Sequence, residues 1–123
     1  MTTTILVAED DPFFRETIQL ALEEHGVNVV TSRHGGEAIE AMKKETPDLL
    51  LLDLLMPHTD GFAVLAHIKE QGFSFPVVIL SNLSDDIDNE KCFSLGAKDY
   101  FIKSDMDEDE LWPKIQPYLA ATP

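Results

Sequence analysis

The chain has 123 residues and a formal net charge of −14 at neutral pH. This length suits one domain with a hydrophobic core, and we predict a single domain over residues 1–123. The acidic surface would repel phosphate backbones, which argues against direct nucleic-acid binding. No apolar run is long enough to span a bilayer, and the single cysteine, Cys92, permits no internal disulfide. These features predict a cytoplasmic domain that does not associate with membranes.

Five short apolar runs alternate with segments of helical periodicity. The predicted strands are residues 5–8, 27–31, 49–52, 77–80 and 100–102. The predicted helices begin after Asp11, at Gly35, at Asp60, after the cap Ser84 and at Asp105, and they end near Gly26, Pro47, Gly72, Leu95 and Leu119. This alternation predicts right-handed βαβ units with helices on both faces of a parallel sheet. We therefore predict an α/β fold: a three-layer αβα sandwich whose five-stranded parallel sheet has the flavodoxin-like order 2-1-3-4-5.

Asp53 lies at the end of an apolar run that begins at Leu49. Such a run is typical of a strand covered on both faces, and Pro57 cannot continue it. An ionised carboxylate is costly to bury without a partner or a metal. Since ligands of open α/β sheets bind at the carboxyl ends of the strands, Asp53 is the first candidate functional residue.

Polar residues follow three other predicted strands at the same edge of the sheet. Glu9 and Asp10 follow the first strand, Ser81 the fourth and Lys103 the fifth. Clustered carboxylates repel each other unless a cation lies among them, and Mg²⁺ prefers carboxylate, water and phosphate oxygens. The set suits phosphoryl transfer, with Asp53 as the acceptor because a carboxylate can form an acyl phosphate. The alternative is that these are ordinary polar loop residues.

Three ordered segments resemble the receiver domain of bacterial two-component response regulators, including the chemotaxis regulators. They are residues 5–11, 53–61 and 96–103, and the middle segment has the pattern D-x-x-M-P-x-x-D-G. The resemblance extends from residue 5 to about residue 119. It implies a signalling switch that accepts a phosphoryl group from a phosphohistidine donor and catalyses only its own phosphorylation and dephosphorylation.

The resemblance also implies how the phosphoryl group and the metal are held. Asp53 is the implied phosphoacceptor. Asp10, Asp53 and the main-chain carbonyl of Leu55 are the implied Mg²⁺ ligands, and Glu9 is implied to act through a bound water.

The remaining implied roles concern signalling. Lys103 would pair with the phosphoryl oxygens, Ser81 would donate to them after moving, and rotation of Tyr100 would accompany that movement. The implied partners are a sensor histidine kinase or a histidine phosphotransfer protein, and a downstream protein effector. The implied assembly is a monomer or a weak phosphorylation-dependent dimer.

Several positions depart from the family pattern. Ser104 replaces the usual proline, which predicts a looser loop after Lys103, and Asn82 replaces alanine or glycine, which predicts narrower access for the phosphodonor. Leu55 and Leu83 offer no polar atom to orient a hydrolytic water, so we expect slow loss of the phosphoryl group.

The last predicted helix contains Pro113 and Pro117. Each proline removes a backbone donor, and Pro113 is expected to bend or shorten the helix near its start. The acidic residues at its beginning, 107–110, suit the positive end of a helix dipole.

Three other functions remain as alternatives. A phosphohydrolase of the haloacid-dehalogenase type would use an aspartyl phosphate and Mg²⁺, but it normally has a second acid where this chain has Leu55. A flavin- or nucleotide-binding module would need a glycine-rich loop after the first strand, where this chain has residues 9–11 with the sequence EDD. A receiver that serves only as a scaffold would not need Asp53, Asp10, Ser81 and Lys103 together.

Overall fold

The computed structural model describes residues 3–56, 60–82, 86–105 and 107–119. Strands and helices alternate along the chain as follows: β1 (Thr4–Ala8), α1 (Pro12–Glu23), β2 (Asn28–Ser32), α2 (Gly35–Lys44), β3 (Leu49–Leu52), α3 (Gly61–Gln71), β4 (Val77–Ser81), α4 (Asp86–Ser94), β5 (Asp99–Ile102), a 3₁₀ turn (Lys103–Asp105) and α5 (Glu108–Leu119). Within these ranges, no helix has the length and apolar character needed to cross a bilayer.

The sheet has the order β2-β1-β3-β4-β5, and every neighbouring pair of strands is parallel. This confirms the predicted fold and strand order. Ala8 at the end of β1 is level with Leu52 at the end of β3, and Ser81 at the end of β4 is level with Ile102. The loops after these strands therefore open at one edge of the sheet.

Helices cover both faces of the sheet and form the outer layers of the sandwich. One face packs against α2, α3 and α4 through buried residues such as Met42, Val64 and Cys92. The other face packs against α1 and α5 through Ile18 and Leu111. Successive leucines of β3 join opposite clusters, and all four are buried. Burial of each such side chain is worth about 1.5–3 kcal/mol, so β3 is a rigid support for the residue that follows it.

Side-chain caps define the starts of several helices. Asp11, the predicted cap of α1, accepts hydrogen bonds from the N–H groups of Phe13 and Phe14. Asp60, which was predicted to begin α3, is its N-cap and accepts one from the N–H of Ala63. The cap of α2 is His34, whose Nδ1 accepts from the N–H of Glu37. The sequence had indicated only the glycines that follow His34. The predicted cap Ser84 and the strand-ending Pro57 lie outside the described residues.

The last helix begins at Glu108 rather than at Asp105, because the 3₁₀ turn occupies the predicted first residues. It is not interrupted at Pro113 and continues through Pro117 to Leu119. Leu111 and Ile115 are fully buried in the core, and this packing offsets the loss of backbone hydrogen bonds.

Candidate functional site

Asp53 directly follows β3 and is held by main-chain and side-chain contacts. Its N–H donates to the Ala8 carbonyl at 3.0 Å, which extends the β1–β3 hydrogen bonding by one residue. The side chain is buried, with 4% of its residue surface exposed. Oδ1 accepts from the Leu55 N–H at 3.2 Å, and Oδ2 lies 3.2 Å from Lys103 Nζ. The carboxylate therefore has a fixed position at the carboxyl edge of the sheet.

Glu9 lies beside Asp53, at the end of β1, and its carboxylate is also buried. One oxygen, Oε2, accepts from the Asp11 N–H at 3.1 Å, and the other forms an ion pair with Lys103. Asp10 follows Glu9 and is exposed. The two consecutive acids thus differ: Glu9 belongs to the buried ion-pair network, whereas Asp10 faces solvent.

Lys103 connects the two buried carboxylates across three strands. Its ammonium forms ion pairs with both Glu9 and Asp53 and lies 4.6 Å from the centre of the Phe14 ring. Burial disfavours the charged amine, but the hydrogen bond to Glu9 and the charge of Asp53 outweigh it and raise the pKa of Lys103. Lys103 is therefore a permanent positive charge at the site.

The carboxyl group of Glu9 binds its proton unusually tightly. Burial raises its pKa from 4.5 to about 7; the hydrogen bond from Lys103 opposes this shift, and the negative charge of Asp53 adds to it. Oxygens of Glu9, Asp10 and Asp53 all lie within 4.8 Å of one another. Three carboxylates at this spacing fit a hard divalent cation, which relieves their mutual repulsion.

Ser81 and Tyr100 lie on the neighbouring strands β4 and β5, and Leu55 lies two residues after Asp53. Ser81 is fully buried at the end of β4, and Tyr100 is half-buried on β5 against the core. Leu55 contributes a main-chain N–H to Asp53, while 57% of its surface is exposed. The movement of Ser81 and Tyr100 and the metal contact of the Leu55 carbonyl remain predictions.

Two residues on α1 support the site, and sequence reasoning did not identify them. Arg15 Nη1 donates to the main-chain carbonyl of Glu9 at 2.9 Å and approaches that of Asp10 at 3.4 Å. The Phe14 ring supports the Lys103 ammonium. A cation one turn into a helix that directly follows an acidic loop is the signal that could have identified Arg15.

Two positions that depart from the family pattern contact each other. The main-chain N–H of Ser104 donates to Asn82 Oδ1 at 3.1 Å. The loop that we expected to be looser is thus anchored by a side chain. Leu83, the other residue predicted to leave water poorly directed, lies outside the described residues.

Comparison with known sequences identifies the same family along most of the chain. Residues 5–116 match the response regulator receiver domain. The chain is 34% identical over 103 residues to the alkaline phosphatase synthesis transcriptional regulatory protein PhoP of Bacillus subtilis, which covers 84% of this chain and 43% of PhoP. It is 32% identical over 121 residues to a 14.6 kDa protein from the sodA1 3′ region of Leptolyngbya boryana, which covers 97% of this chain and 92% of that protein.

Solved structures agree in fold. The receiver domain of the Francisella response regulator 1452 is 28% identical, has a TM-score of 0.91, and matches 99% of this chain and 100% of its own. The BeF3-activated N-terminal receiver domain of Klebsiella pneumoniae RstA is 31% identical, with a TM-score of 0.88 and coverage of 95% and 98%. This chain therefore belongs to the response regulator receiver domain family.

Proposed function

We propose that this domain is the phosphoacceptor switch of a two-component phosphorelay, with Asp53 as the acceptor. The observation that carries the proposal is the position of the Asp53 carboxylate, which is buried at the edge of the sheet, paired with the Lys103 ammonium and within 4.8 Å of oxygens of Glu9 and Asp10. The fixed geometry suits in-line attack on phosphorus, because positioning and charge neutralisation supply most of the catalysis of phosphoryl transfer.

The transfer forms one bond and breaks another. An Asp53 carboxylate oxygen attacks the phosphorus of a phosphohistidine, and the phosphorus–nitrogen bond breaks. The electron pair of that bond goes to the imidazole of the donor, which then takes a proton from solvent. Lys103 already contacts Asp53 Oδ2 and can follow the incoming phosphoryl oxygens, whose negative charge it neutralises.

The carboxylates fit Mg²⁺ as the cofactor. Asp10, Asp53 and the main-chain carbonyl of Leu55 would hold the ion directly, and Glu9 would act through a water. The ion would neutralise charge on the phosphoryl oxygens during transfer. Because Glu9 is engaged by Lys103, its indirect role is consistent with the ion pair that the structure shows.

A protein partner would recognise the phosphorylated form of the domain. Ser81 would donate to the new phosphoryl group, and the accompanying rotation of Tyr100 would change the surface formed by α4, β5 and α5. The related RstA receiver domain is BeF3-activated in its solved structure, which supports the proposal that this domain can be activated. We propose that the domain is cytoplasmic, with a sensor histidine kinase or histidine phosphotransfer protein as the donor and a protein effector as the target. The proposed assembly is a monomer or a weak phosphorylation-dependent dimer.

In the proposed function, the domain catalyses only its own phosphorylation and dephosphorylation and converts no other substrate. The position two residues after Asp53, where a phosphohydrolase of the haloacid-dehalogenase type carries its second acid, holds the exposed, apolar Leu55. Its side chain has no group that could transfer a proton to a leaving alcohol.

Intact-mass measurement tests the proposal directly. The chain is incubated with Mg²⁺ and acetyl phosphate, and one phosphoryl adduct is expected on the wild type. Asp53→Asn should show none, whereas Asp105→Asn, which changes an exposed acid in the 3₁₀ turn, should be labelled normally. No adduct on the wild type would favour a scaffold. Release of many phosphate equivalents from a small phosphate ester would favour a phosphohydrolase.

A further inference from the structure

We propose that Asn82 is a positioning residue for phosphoryl transfer: its side-chain oxygen anchors the main chain beside Lys103 and so holds the ammonium at Asp53. The inference rests on the proposed function, because it concerns the rate at which Asp53 is phosphorylated. The observation behind it is the 3.1 Å hydrogen bond from the Ser104 N–H to Asn82 Oδ1.

The bond joins the two loops that follow β4 and β5. Asn82 directly follows Ser81, and Ser104 directly follows Lys103. Ser81 is level with Ile102 in the last β4–β5 pair. The Asn82 side chain therefore extends the connection between these strands beyond the end of their hydrogen-bonded ladder, at the point where Lys103 leaves the sheet.

The bond requires a particular pair of residue types. Residue 104 must have an N–H, which a proline lacks, and residue 82 must have a side-chain acceptor long enough to reach it. The first N–H groups of a helical turn have no partner within the turn. Asn82 satisfies one of them in the 3₁₀ turn Lys103–Asp105.

An anchor on the main chain matters because the other contacts of Lys103 change during the reaction. Its ammonium is held by Glu9 and by Asp53 Oδ2, and the environment of Asp53 changes when it carries a phosphoryl group. The Ser104–Asn82 bond involves neither carboxylate. It can therefore hold the base of the Lys103 side chain while Asp53 is being phosphorylated, before Ser81 moves.

The effect of Asn82 on the free energy of unfolding can be separated from its effect on the rate of phosphorylation. Asn82 and Ser104 are both exposed, so water replaces a lost bond and its removal should cost only about 0.5–1.5 kcal/mol. A small displacement of a charged group at a reacting centre has a larger effect on rate. Asn82→Ala should therefore change the rate of phosphorylation more than the free energy of unfolding.

The rate of adduct formation is measured with phosphoramidate and with the larger acetyl phosphate, at fixed Mg²⁺. Asn82→Ala should slow labelling by about threefold to tenfold, and by the same factor with both donors, since Lys103 acts on the phosphoryl group that they share. Faster labelling, particularly with acetyl phosphate, would overturn the proposal and show that Asn82 instead restricts access.

Asn28→Ala is the matched control. It also removes an exposed asparagine side chain with one hydrogen bond, to Thr4 Oγ1, but it lies at the opposite edge of the sheet. Its labelling rates should equal those of the wild type. Fluorescence of Trp112, the single tryptophan, monitors urea unfolding of each variant.

A second variant tests whether Asn82 acts through its hydrogen bond to Ser104. Ser104→Pro removes the donor, so Asn82→Ala should have no further effect when the two changes are combined. If Asn82→Ala slowed labelling of Ser104→Pro by the same factor as it slows labelling of the wild type, the inference would be overturned. If the wild type is labelled and Asn82→Ala is labelled at the same rate, only the role of Asn82 is refuted. An unlabelled wild type would refute the proposed function and this inference together.

Discussion

Lys103 Nζ lies 3.2 Å from Asp53 Oδ2, although the two residues are 50 positions apart in the sequence. The same ammonium pairs with Glu9, so one charge joins the loops after β1, β3 and β5. Without it, two buried carboxylates would face each other unscreened. Any cation that binds these acids must share them with Lys103, and the electrostatics of the site depend on that competition.

The first prediction concerns the pH dependence of stability without metal. The pKa of Glu9 in the fold is about 7, above its ordinary value of 4.5. The folded protein therefore retains this proton after the unfolded chain has lost it. The resulting stabilisation is complete below pH 4.5 and is lost as the pH rises through 7.

Glu9→Gln should remove this dependence. Relative to the wild type, the variant should gain stability on the order of 3 kcal/mol between pH 4.5 and 8, since a tenfold change in proton affinity is worth about 1.4 kcal/mol. Urea unfolding in the presence of a chelator, followed by Trp112 fluorescence, measures the difference. Glu16→Gln, an exposed change on α1, is the control. Parallel curves for wild type and Glu9→Gln would contradict the prediction.

The second prediction concerns Mg²⁺. An ion held by the carboxylates of the native site should stabilise the fold by about 2–3 kcal/mol when its concentration is a hundred times its Kd. Asp10→Asn should abolish most of that gain, because Asp10 is one of three acids whose oxygens meet there. Asp109→Asn, at the exposed start of α5, should retain it.

The gain from Mg²⁺ should also increase between pH 6 and 8. Binding requires ionised carboxylates, and Glu9 retains its proton up to about pH 7. Thermal unfolding at several pH values, with Mg²⁺ or with a chelator, measures this. A gain that does not vary with pH would show that Glu9 plays no part in holding the ion.

The third prediction concerns Gly61, the first residue of α3. A Cβ at this position would lie 2.6 Å from the Asp53 carbonyl oxygen and 2.7 Å from Leu54 Cα. Gly61→Ala must therefore displace the main chain that carries the phosphoacceptor, at a cost of about 1–3 kcal/mol. It should also slow phosphorylation.

Gly36→Ala, in the first turn of α2, is the control for Gly61→Ala, since its Cβ would meet the side chain of His34, at 3.2 Å, and not the main chain beside Asp53. Displacement of this capping imidazole should cost about 0.5–2 kcal/mol, so the comparison rests on the labelling rate, which should stay close to that of the wild type. If Gly61→Ala unfolded at the wild-type midpoint, the close approach of α3 to Asp53 would not constrain the site.

The fourth prediction concerns loss of the phosphoryl group. Leu55 lies two residues after Asp53 and is exposed, but its side chain cannot orient water. Leu55→Gln should accelerate hydrolysis by about tenfold by positioning a water near phosphorus. Leu20→Gln on α1, where 56% of the surface is exposed compared with 57% for Leu55, should leave the rate unchanged. Decay of the purified phosphoprotein, followed by intact mass, gives both rates; a wild-type half-life of only seconds would contradict the expected slow loss.

The parallel sheet and the edge that carries the site were predictable because their signals are local, whereas the strand order 2-1-3-4-5 was predicted as a common order of such sheets. A run of four leucines that ends in Asp53 indicates a buried strand with a polar end. Alternation with helices then requires parallel pairing. The polar residues at the ends of β1, β3, β4 and β5 must meet at one edge, whichever contacts they make there.

The start of α5 was predicted wrongly because a 3₁₀ turn and an α-helix use similar local sequences. Asp105 belongs to the turn, and the helix begins at Glu108. Its continuation through Pro113 depends on Leu111 and Ile115 being buried. Local propensity disfavours that continuation, and tertiary packing overrides it.

Local patterns along the chain were enough to predict the fold class and the candidate acids, Ser81 and Lys103, because apolar periodicity and strand-end polarity lie within a few residues of each other. Which groups contact each other depends on the folded molecule: the ion pairs of Lys103, the contacts of Arg15, the anchor from Asn82 to Ser104, and the close approach at Gly61. Most of these contacts join segments distant in sequence. A hydrogen bond or an ion pair depends on distances of a few tenths of an ångström, and the packed sheet and helices set those distances.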